Sequence, residues 1–543
     1  DEASVDAALE GVRAVGGEGI VVALLHAYRN SAHEQRVAEI IKTKAPELTV
    51  TCASAVWPVI REYERTVTAV VAGYVQGRVA HYLGSLQAAL ASAGVPAEPM
   101  ITKSNGGVMT AEIGKQECAQ MLLSGTASGV IGAASVAAET GAKAAMSLDI
   151  GGTSADVAII LDGTPQYGIG EVIGEFPIFI PTVSVTSIGE GGGSIAWVDP
   201  HGVLKVGPES AGSTPGPACY DRGGDRPAIT DAFVVCGFLG QAALGYSAVS
   251  MRTDLSRQAM VSIGEKIGMG VEETAEAVIR VAVSGMYLEV SKLVSRNGID
   301  PRDLSLIAFG GAGPMMACYL ARELGMREVV VPRVPGVLSA FGGLIADIKN
   351  DFIRTVYLDL GPDGALEEMQ TVYAELRAEA MAWIRNEHGY GGAVTLLHSA
   401  DMRYRGQSYE IETPLDADWI DGGDLGGMAG AFHAAHERIY EHADVDAPVQ
   451  IINLRLVVVG TPPKPTFAPV ESSDAAPAPR ASVPVYFDGA THTAAVYARG
   501  DLMAGQRFEG PAIVTQDDCT TCVLGGFTAT VDPSGNLILS RED

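Results

Sequence analysis

Leu148-Asp149-Ile150-Gly151-Gly152-Thr153-Ser154-Ala155-Asp156-Val157-Ala158-Ile159-Ile160 reads as two apolar strand runs joined by a tight Gly-Gly turn. Gly151 and Gly152 permit backbone angles that a Cβ forbids and let the main chain come close to a ligand. Their N–H groups, with the hydroxyls of Thr153 and Ser154, can form an anion-binding concavity. A carboxylate on each side, Asp149 and Asp156, can hold a Mg²⁺ or orient an attacking oxygen. Phosphoryl transfer needs those parts: donors for the phosphate, and acids for the metal and the nucleophile. The plainer alternative is an ordinary hairpin with a polar tip. What favours the phosphate reading is the company these residues keep further along the chain.

The composition is that of a packed protein of more than one domain: 543 residues, 47% hydrophobic and 19% charged, with 65 glycines. A formal charge of -28 argues against nucleic acid or an anionic membrane as a partner, because no basic face is available to offset it. No apolar run has the length of a membrane span or the layout of a signal peptide. The seven cysteines are scattered apart from Cys519 and Cys522, so a reducing cytoplasm is expected rather than a disulfide scaffold. Those two are expected to be buried or idle thiols. The chain opens at Asp1 directly into a helical pattern, as if cut from something longer.

Residues 1–65 alternate helix (4–15), strand (19–25), helix (33–44) and strand (48–53), which argues for a parallel sheet with covering helices. His26, Arg29, His33 and Glu34 follow the first strand; the two histidines and the glutamate invite a metal reading, but helix-start capping with solvated imidazoles fits them better. A long helix is expected over 61–94, then a strand ending in the turn Ser104-Asn105-Gly106-Gly107. Residues 124–130 read as a small-residue loop opening a helix, a place ready for a phosphate or for tight helix packing. Gly191, Gly192 and Gly193 precede a strand, and 206–220 reads as a rigid Pro/Gly loop of the kind that carries function. Two helices follow over 254–298. Leu306-Ile307-Ala308-Phe309-Gly310-Gly311-Ala312-Gly313-Pro314 is then a buried strand, a glycine turn and a helix start, where backbone can pass close to a nucleotide. From about 355 the pattern becomes mixed α+β, 462–484 reads as a linker, and 485–541 as short strands forming a small β unit.

Taken together, these motifs resemble the hydantoinase A / 5-oxoprolinase family, which includes N-methylhydantoinase and caprolactamase large subunits and is related to acetone and acetophenone carboxylases. The resemblance runs over nearly the whole chain. It rests on Leu25-His26 with Ala32-His33-Glu34, Arg61-Glu62-Tyr63-Glu64-Arg65, Ser104 to Gly107, Asp149 to Val157, Gly191 to Ala196 and Gly207-Pro208 to Tyr220. It continues through Thr230-Asp231-Ala232, Phe309 to Pro314, and Met402-Arg403-Tyr404 with Gly406-Gln407-Ser408. It implies an α/β, actin-like, sugar-kinase-like (ribonuclease H-like) ATPase fold, followed by an α+β domain and a small β domain. The implied segments are 1–65, the remainder of the N-terminal domain; 66–354, the main ATPase domain; 355–461; a linker at 462–484; and 485–543. The family's usual first Asp-x-Gly-Gly-Thr loop is absent, so the resemblance implies a chain lacking its N-terminal start. Two departures stand out, at 124–129 and at Cys519 to Cys522.

By the same resemblance, Asp149 to Asp156 is a phosphate loop for ATP with Mg²⁺ (or Mn²⁺). Asp149 and Asp156 are its catalytic acids and Asp149 the metal ligand. Gly151, Gly152, Thr153, Ser154 and Gly191 to Gly193 lie around the nucleotide, with Gly310, Gly311, Ala312 and Gly313 beside the adenosine. The implied chemistry is phosphorylation of a cyclic amide's carbonyl oxygen, creating a leaving group. Ring opening would be completed in a smaller, hydantoinase B-like subunit of a hetero-oligomer. The motifs leave two alternatives open: a subunit of an ATP-dependent ketone carboxylase, and a nucleotide-binding scaffold.

Overall fold

The computed structural model describes residues 1–173, 176–240, 251–361 and 365–541, with the backbone alone at 169, 171 and 173. The end of the expected 485–543 segment, 542–543, lies outside the described residues. The chain divides into two compact units, each assembled from separate stretches. One comprises 1–124, 167–182 and 346–463; the other comprises 125–166, 183–345 and 464–543. The units therefore do not follow the consecutive segments expected from the sequence. Residues 355–461 share a sheet with 100–110, and 485–541 adds strands to the sheet that holds Asp149.

The second unit is built on a nine-stranded sheet. Strand Ala144–Ile150 is third from one edge, antiparallel to Ala155–Leu161 and parallel to Ser305–Phe309. Glu328–Val331 continues the parallel part, and Thr186–Ile188 pairs antiparallel with the far side of Ala155–Leu161. Beyond Glu328–Val331 the sheet is extended by Leu537–Arg541, Phe527–Val531 and Arg507–Glu509. Strand residues alternate between faces. Met146, Leu148 and Ile150, with Val157 and Ile159, face one core, which helices Ile229–Val235, Val271–Arg296 and Gly313–Leu324 complete. Ala145, Ala158 and Ile160 face the other, covered by helix Ser124–Thr140. By that alternation Asp149 and Asp156 both lie on the side of helix Ser124–Thr140.

The expected loop at 124–130 is helix throughout. Its small residues serve packing: a Cβ on Gly129 would meet Phe309 and Ser339, and one on Gly132 would meet Leu338. The expected loop at 206–220 begins as strand Leu204–Ser210, paired with Ser194–Val198, so only its later part is loop. Asp231 holds that part in place. Fully buried, its carboxylate accepts from Ala218 N, Cys219 N, Ala228 N and the Ser256 hydroxyl.

In the first unit, Gly19–Val22 and Thr49–Cys52 pair in parallel, as the alternation of 1–65 predicts. Glu34 is buried and accepts from Leu24 N, Ser54 N and the Ser54 hydroxyl. Arg65, at the start of helix Glu62–Ser92, is buried too and donates to the carbonyls of Val59 and Leu24. A six-stranded sheet runs in the order Ile411–Leu415, Val394–Tyr404, Val449–Gly460, Ile348–Asp359, Val108–Thr110, Met100–Thr102. Helices Ala365–Ala382 and Leu425–Tyr440 cover one face with apolar residues. The other face carries Asp401, Asn453 and Arg455, all buried.

Candidate functional site

The hairpin predicted from the sequence is present, and its register sets the site. Asp149 and Asp156 are direct cross-strand partners, so their side chains leave the same face at the turn end of the ladder. On the other side of the same strand, Asp149 is the partner of Phe309. The Gly310 turn therefore follows immediately beside the Gly151 turn. Ala312 N donates to the Ile150 carbonyl at 2.9 Å, tying the two turns together.

Each acid has hydroxyl company. Ser339 Oγ donates to Asp149 at 3.1 Å, while Thr126 and Ser187 donate to Asp156. Burial pushes the Asp149 carboxyl above its ordinary value; the Ser339 hydrogen bond pulls the other way, and the Asp156 charge adds to the rise. Two carboxylates and three hydroxyls on one face make a hard-oxygen donor set, suited to a cation that also takes phosphate oxygens. Among the described residues no group of three or more His, Cys, Asp or Glu forms a metal cluster. A Mg²⁺ held by one or two carboxylates and its substrate phosphates needs none.

The glycines divide by role. Gly151, Gly152 and Thr153 are exposed at the hairpin tip, and Ser154 is half-buried beside them. Neither Gly151 nor Gly152 has a positive φ, so the conformational reason expected from the sequence does not apply. A Cβ on Gly152 would meet nothing within 4 Å, and one on Gly151 only the Ser154 carbonyl at 3.9 Å. The protein thus leaves open the space above both. Gly191, Gly192 and Gly193 are buried, with their N–H groups donated to Ser194 Oγ, the Gly151 carbonyl and the Gly152 carbonyl. Those donors are taken up inside the protein, so this loop braces the hairpin rather than offering N–H groups to a ligand. Gly310 does need its glycine, having φ +79° and lying against Asp149. Gly311 is exposed, and a Cβ there would meet nothing within 4 Å. Ala312 and Gly313 are buried where helix Gly313–Leu324 begins.

Three family models match consecutive parts of this chain: the hydantoinase/oxoprolinase N-terminal region over residues 1–45, hydantoinase/oxoprolinase over 65–352, and its C-terminal domain over 363–540. The chain belongs to the hydantoinase/oxoprolinase family. Within it, the chain is 30% identical to the caprolactamase subunit alpha of Pseudomonas jessenii, covering 99% of this chain and 79% of that protein. The crystal structure of the ATP-dependent caprolactamase from that organism superposes with a TM-score of 0.86 at 29% identity, over 100% of this chain and 80% of that one. The nucleotide-free structure of an acetone carboxylase, described as carrying out ATP-dependent acetone carboxylation, superposes at 0.80 with 27% identity, over 100% and 79%. The mixed α/β fold is thus shared with both a hydrolase and a carboxylase of the family.

The sequence brought the acids and the two turns to notice. Ser339, Ser187 and Thr126 went unassigned, although Thr126 lies in the 124–130 stretch. The His26/His33 stretch falls in the other unit, with both imidazoles exposed. Cys522 is buried in strand Thr520–Val523 of a four-stranded sheet and Cys519 in the turn just before it, and burial pushes both thiols up.

Proposed function

We propose that this chain is the ATP-binding, carbonyl-phosphorylating subunit of an ATP-dependent cyclic amidohydrolase acting on a hydantoin, 5-oxoproline or lactam. The observation that carries this is the register of strand Ala144–Ile150. It brings Asp149, Asp156, the open Gly151-Gly152 tip and the open Gly311 turn to one end of one sheet. An antiparallel meander continued by two parallel strands supports reading this unit as part of an actin-like, ribonuclease H-like ATPase fold.

In this reading the Gly152 and Thr153 main chain and the Thr153 and Ser154 hydroxyls hold phosphate oxygens. Gly311 leaves room for the adenosine face. Asp149, with Asp156 beside it, holds Mg²⁺ or Mn²⁺, which supplies charge neutralisation to the phosphates. The amide oxygen takes the γ-phosphoryl group as ADP leaves. Water then adds at the carbon, the ring C–N bond breaks as its nitrogen takes a proton, and the acyl phosphate left behind is hydrolysed by a second water to the carboxylate and phosphate. A smaller, hydantoinase B-like subunit completes that second stage in a hetero-oligomer, in keeping with relatives named as subunits. Among the described residues no helix is long and apolar enough to cross a membrane, and all seven cysteines are free, which supports a cytoplasmic setting.

The test is ATP hydrolysis by the assembled heteromer against a panel of hydantoins, lactams and ketones. Stimulation by a ring amide, with ring-opened product equal to the phosphate released, is the expected result. Bicarbonate-dependent consumption of a ketone would make the chain a carboxylase subunit instead. Stimulation by neither, with turnover driven by a protein partner, would make it a scaffold ATPase.

A further inference from the structure

Two motifs singled out in the sequence have no part in the nucleotide site: Arg61 to Arg65, and Met402-Arg403-Tyr404 with Gly406-Gln407-Ser408. Arg61 of the first lines one cavity of about 260 Å³ in the first unit, and Asp401, Tyr409 and Glu410, which flank the second, line it as well. Arg61, 349 residues before Glu410, donates to its carboxylate at 2.9 Å. Arg403 lies 3.3 Å from the other oxygen of that carboxylate. The floor is the polar face of the six-stranded sheet. There Asp401 and Asn453 are cross-strand partners, and Asn453 Nδ2 donates to Asp401 Oδ2 at 2.7 Å. Arg455 Nε lies 3.1 Å from Asp401 Oδ1, and its Nη1 lies 3.4 Å from Glu412. Val59, Ile60, Ile452 and Phe179 supply apolar wall. The Tyr409 ring stands 73% exposed, with the Arg61 guanidinium 5.9 Å from its centroid.

A sheet face with a buried arginine and a buried aspartate is costly unless every polar atom is used. Two atoms here make no hydrogen bond among the described residues: Asp401 Oδ1, whose contact with Arg455 Nε is an ion pair only, and Arg455 Nη2, both buried. One is an acceptor and the other a donor, on side chains about 6% and 7% exposed. Charge across the cavity is balanced, with Arg61 and Arg455 against Glu410 and Asp401, so a free anion or cation gains little. A neutral group presenting both a carbonyl acceptor and an N–H donor matches the unused pair. The apolar walls suit the methylenes of a small ring, and the volume lies below that of drug-sized pockets.

We propose that the cavity walled by Arg61, Phe179, Asp401, Tyr409, Asn453 and Arg455 binds a small cyclic amide or ureide. The ring carbonyl accepts from a guanidinium, its N–H donates to the Asp401 carboxylate, and its carbon skeleton lies against Phe179 and Tyr409. The choice of ligand rests on the amide reading above; the cavity itself does not involve the nucleotide residues.

The test is calorimetric titration of the full chain, free of nucleotide, with ε-caprolactam, hydantoin and 5-oxoproline, and with acetone as a carbonyl lacking the N–H. At least one ring amide should bind and acetone should not. Tyr409→Ala and Arg61→Met, both at partly exposed positions that leave the buried network standing, should each weaken binding at least about fivefold. Asp401→Asn should weaken it about tenfold or more, because the amide offers one uncharged acceptor oxygen in place of a carboxylate. No binding of any ring amide at millimolar concentration overturns the proposal, as does unchanged affinity in all three variants when their unfolding temperatures are near wild type. ATP titrated into the same wild-type chain separates the two readings. Ring binding without ATP binding leaves this site standing and removes the nucleotide reading, whereas ATP binding without ring binding does the reverse.

Discussion

Gly310 lies against Asp149 with its backbone at φ +79°, and a Cβ added there would come within 2.6 Å of the Ile150 carbonyl as well as striking the Asp149 carboxylate. The acid of one turn and the glycine of the other thus share a single space. Gly310→Ala should tilt Asp149 and strain the backbone, costing at least about 2 kcal/mol. A lowered unfolding temperature together with lost ATPase is the expected pair of results.

The neighbouring glycine should behave in the opposite way. Because a Cβ at Gly311 meets nothing in the protein, Gly311→Val should fold normally and fail to bind nucleotide. Calorimetry should find ATP affinity down by about tenfold or more with the unfolding temperature unmoved. Equal affinity would remove this turn from the site.

Asp149 is expected to serve the metal–nucleotide in its ionised form. Asp149→Ala should keep the fold and cut substrate-stimulated turnover by more than about 100-fold. Ser339→Ala gives a finer test. Its hydrogen bond holds down a carboxyl that burial raises, so without it the acidic limb of the pH–rate profile should move to higher pH. An unshifted profile would mean that ionisation of Asp149 does not limit the reaction.

Asp231 satisfies four buried donors and touches no part of the open site. Asp231→Ala should therefore act on stability, by roughly 3 kcal/mol or more, since each orphaned donor keeps its desolvation cost. Urea unfolding would check this. A stable but inactive variant would contradict it.

Lys103 offers a pH test in the first unit. Fully buried, it donates to Asn350 and the Lys349 carbonyl, and burial lowers its ammonium to about 8. The unfolded chain holds that proton until about 10.5, so between the two values the unfolded state binds more protons and stability rises with pH. Below about 8 both states are charged and the burial penalty is felt in full. Relative to Lys103→Met, the wild type should gain up to about 1.4 kcal/mol per pH unit on going above pH 8. Parallel stability curves for the two proteins would show that the buried ammonium does not titrate in this range.

Much of this protein is local in origin and so was open to reading from the chain. Strands alternate every second residue, so Asp149 and Asp156, placed symmetrically about the four-residue turn Gly151 to Ser154, share a face once the hairpin closes. The strand, glycine turn and helix of 306–317 follow equally from short-range pattern. What the sequence could not supply is pairing between distant strands. The register setting Phe309 opposite Asp149 brings the second turn alongside the first, and no local periodicity encodes it. The same holds for Ser339 and Thr126, which reach the acids only because their helices pack on that face. Nor does the sequence show that the N–H groups of 191–193 are taken up inside the protein, two by the hairpin carbonyls and the third by Ser194. Arg61 and Glu410 became neighbours only through the six-stranded sheet and the helix start beside it. Backbone period and turn chemistry act over a few residues and are written in order along the chain, whereas contacts between remote segments depend on how whole faces bury one another, which only the folded structure decides.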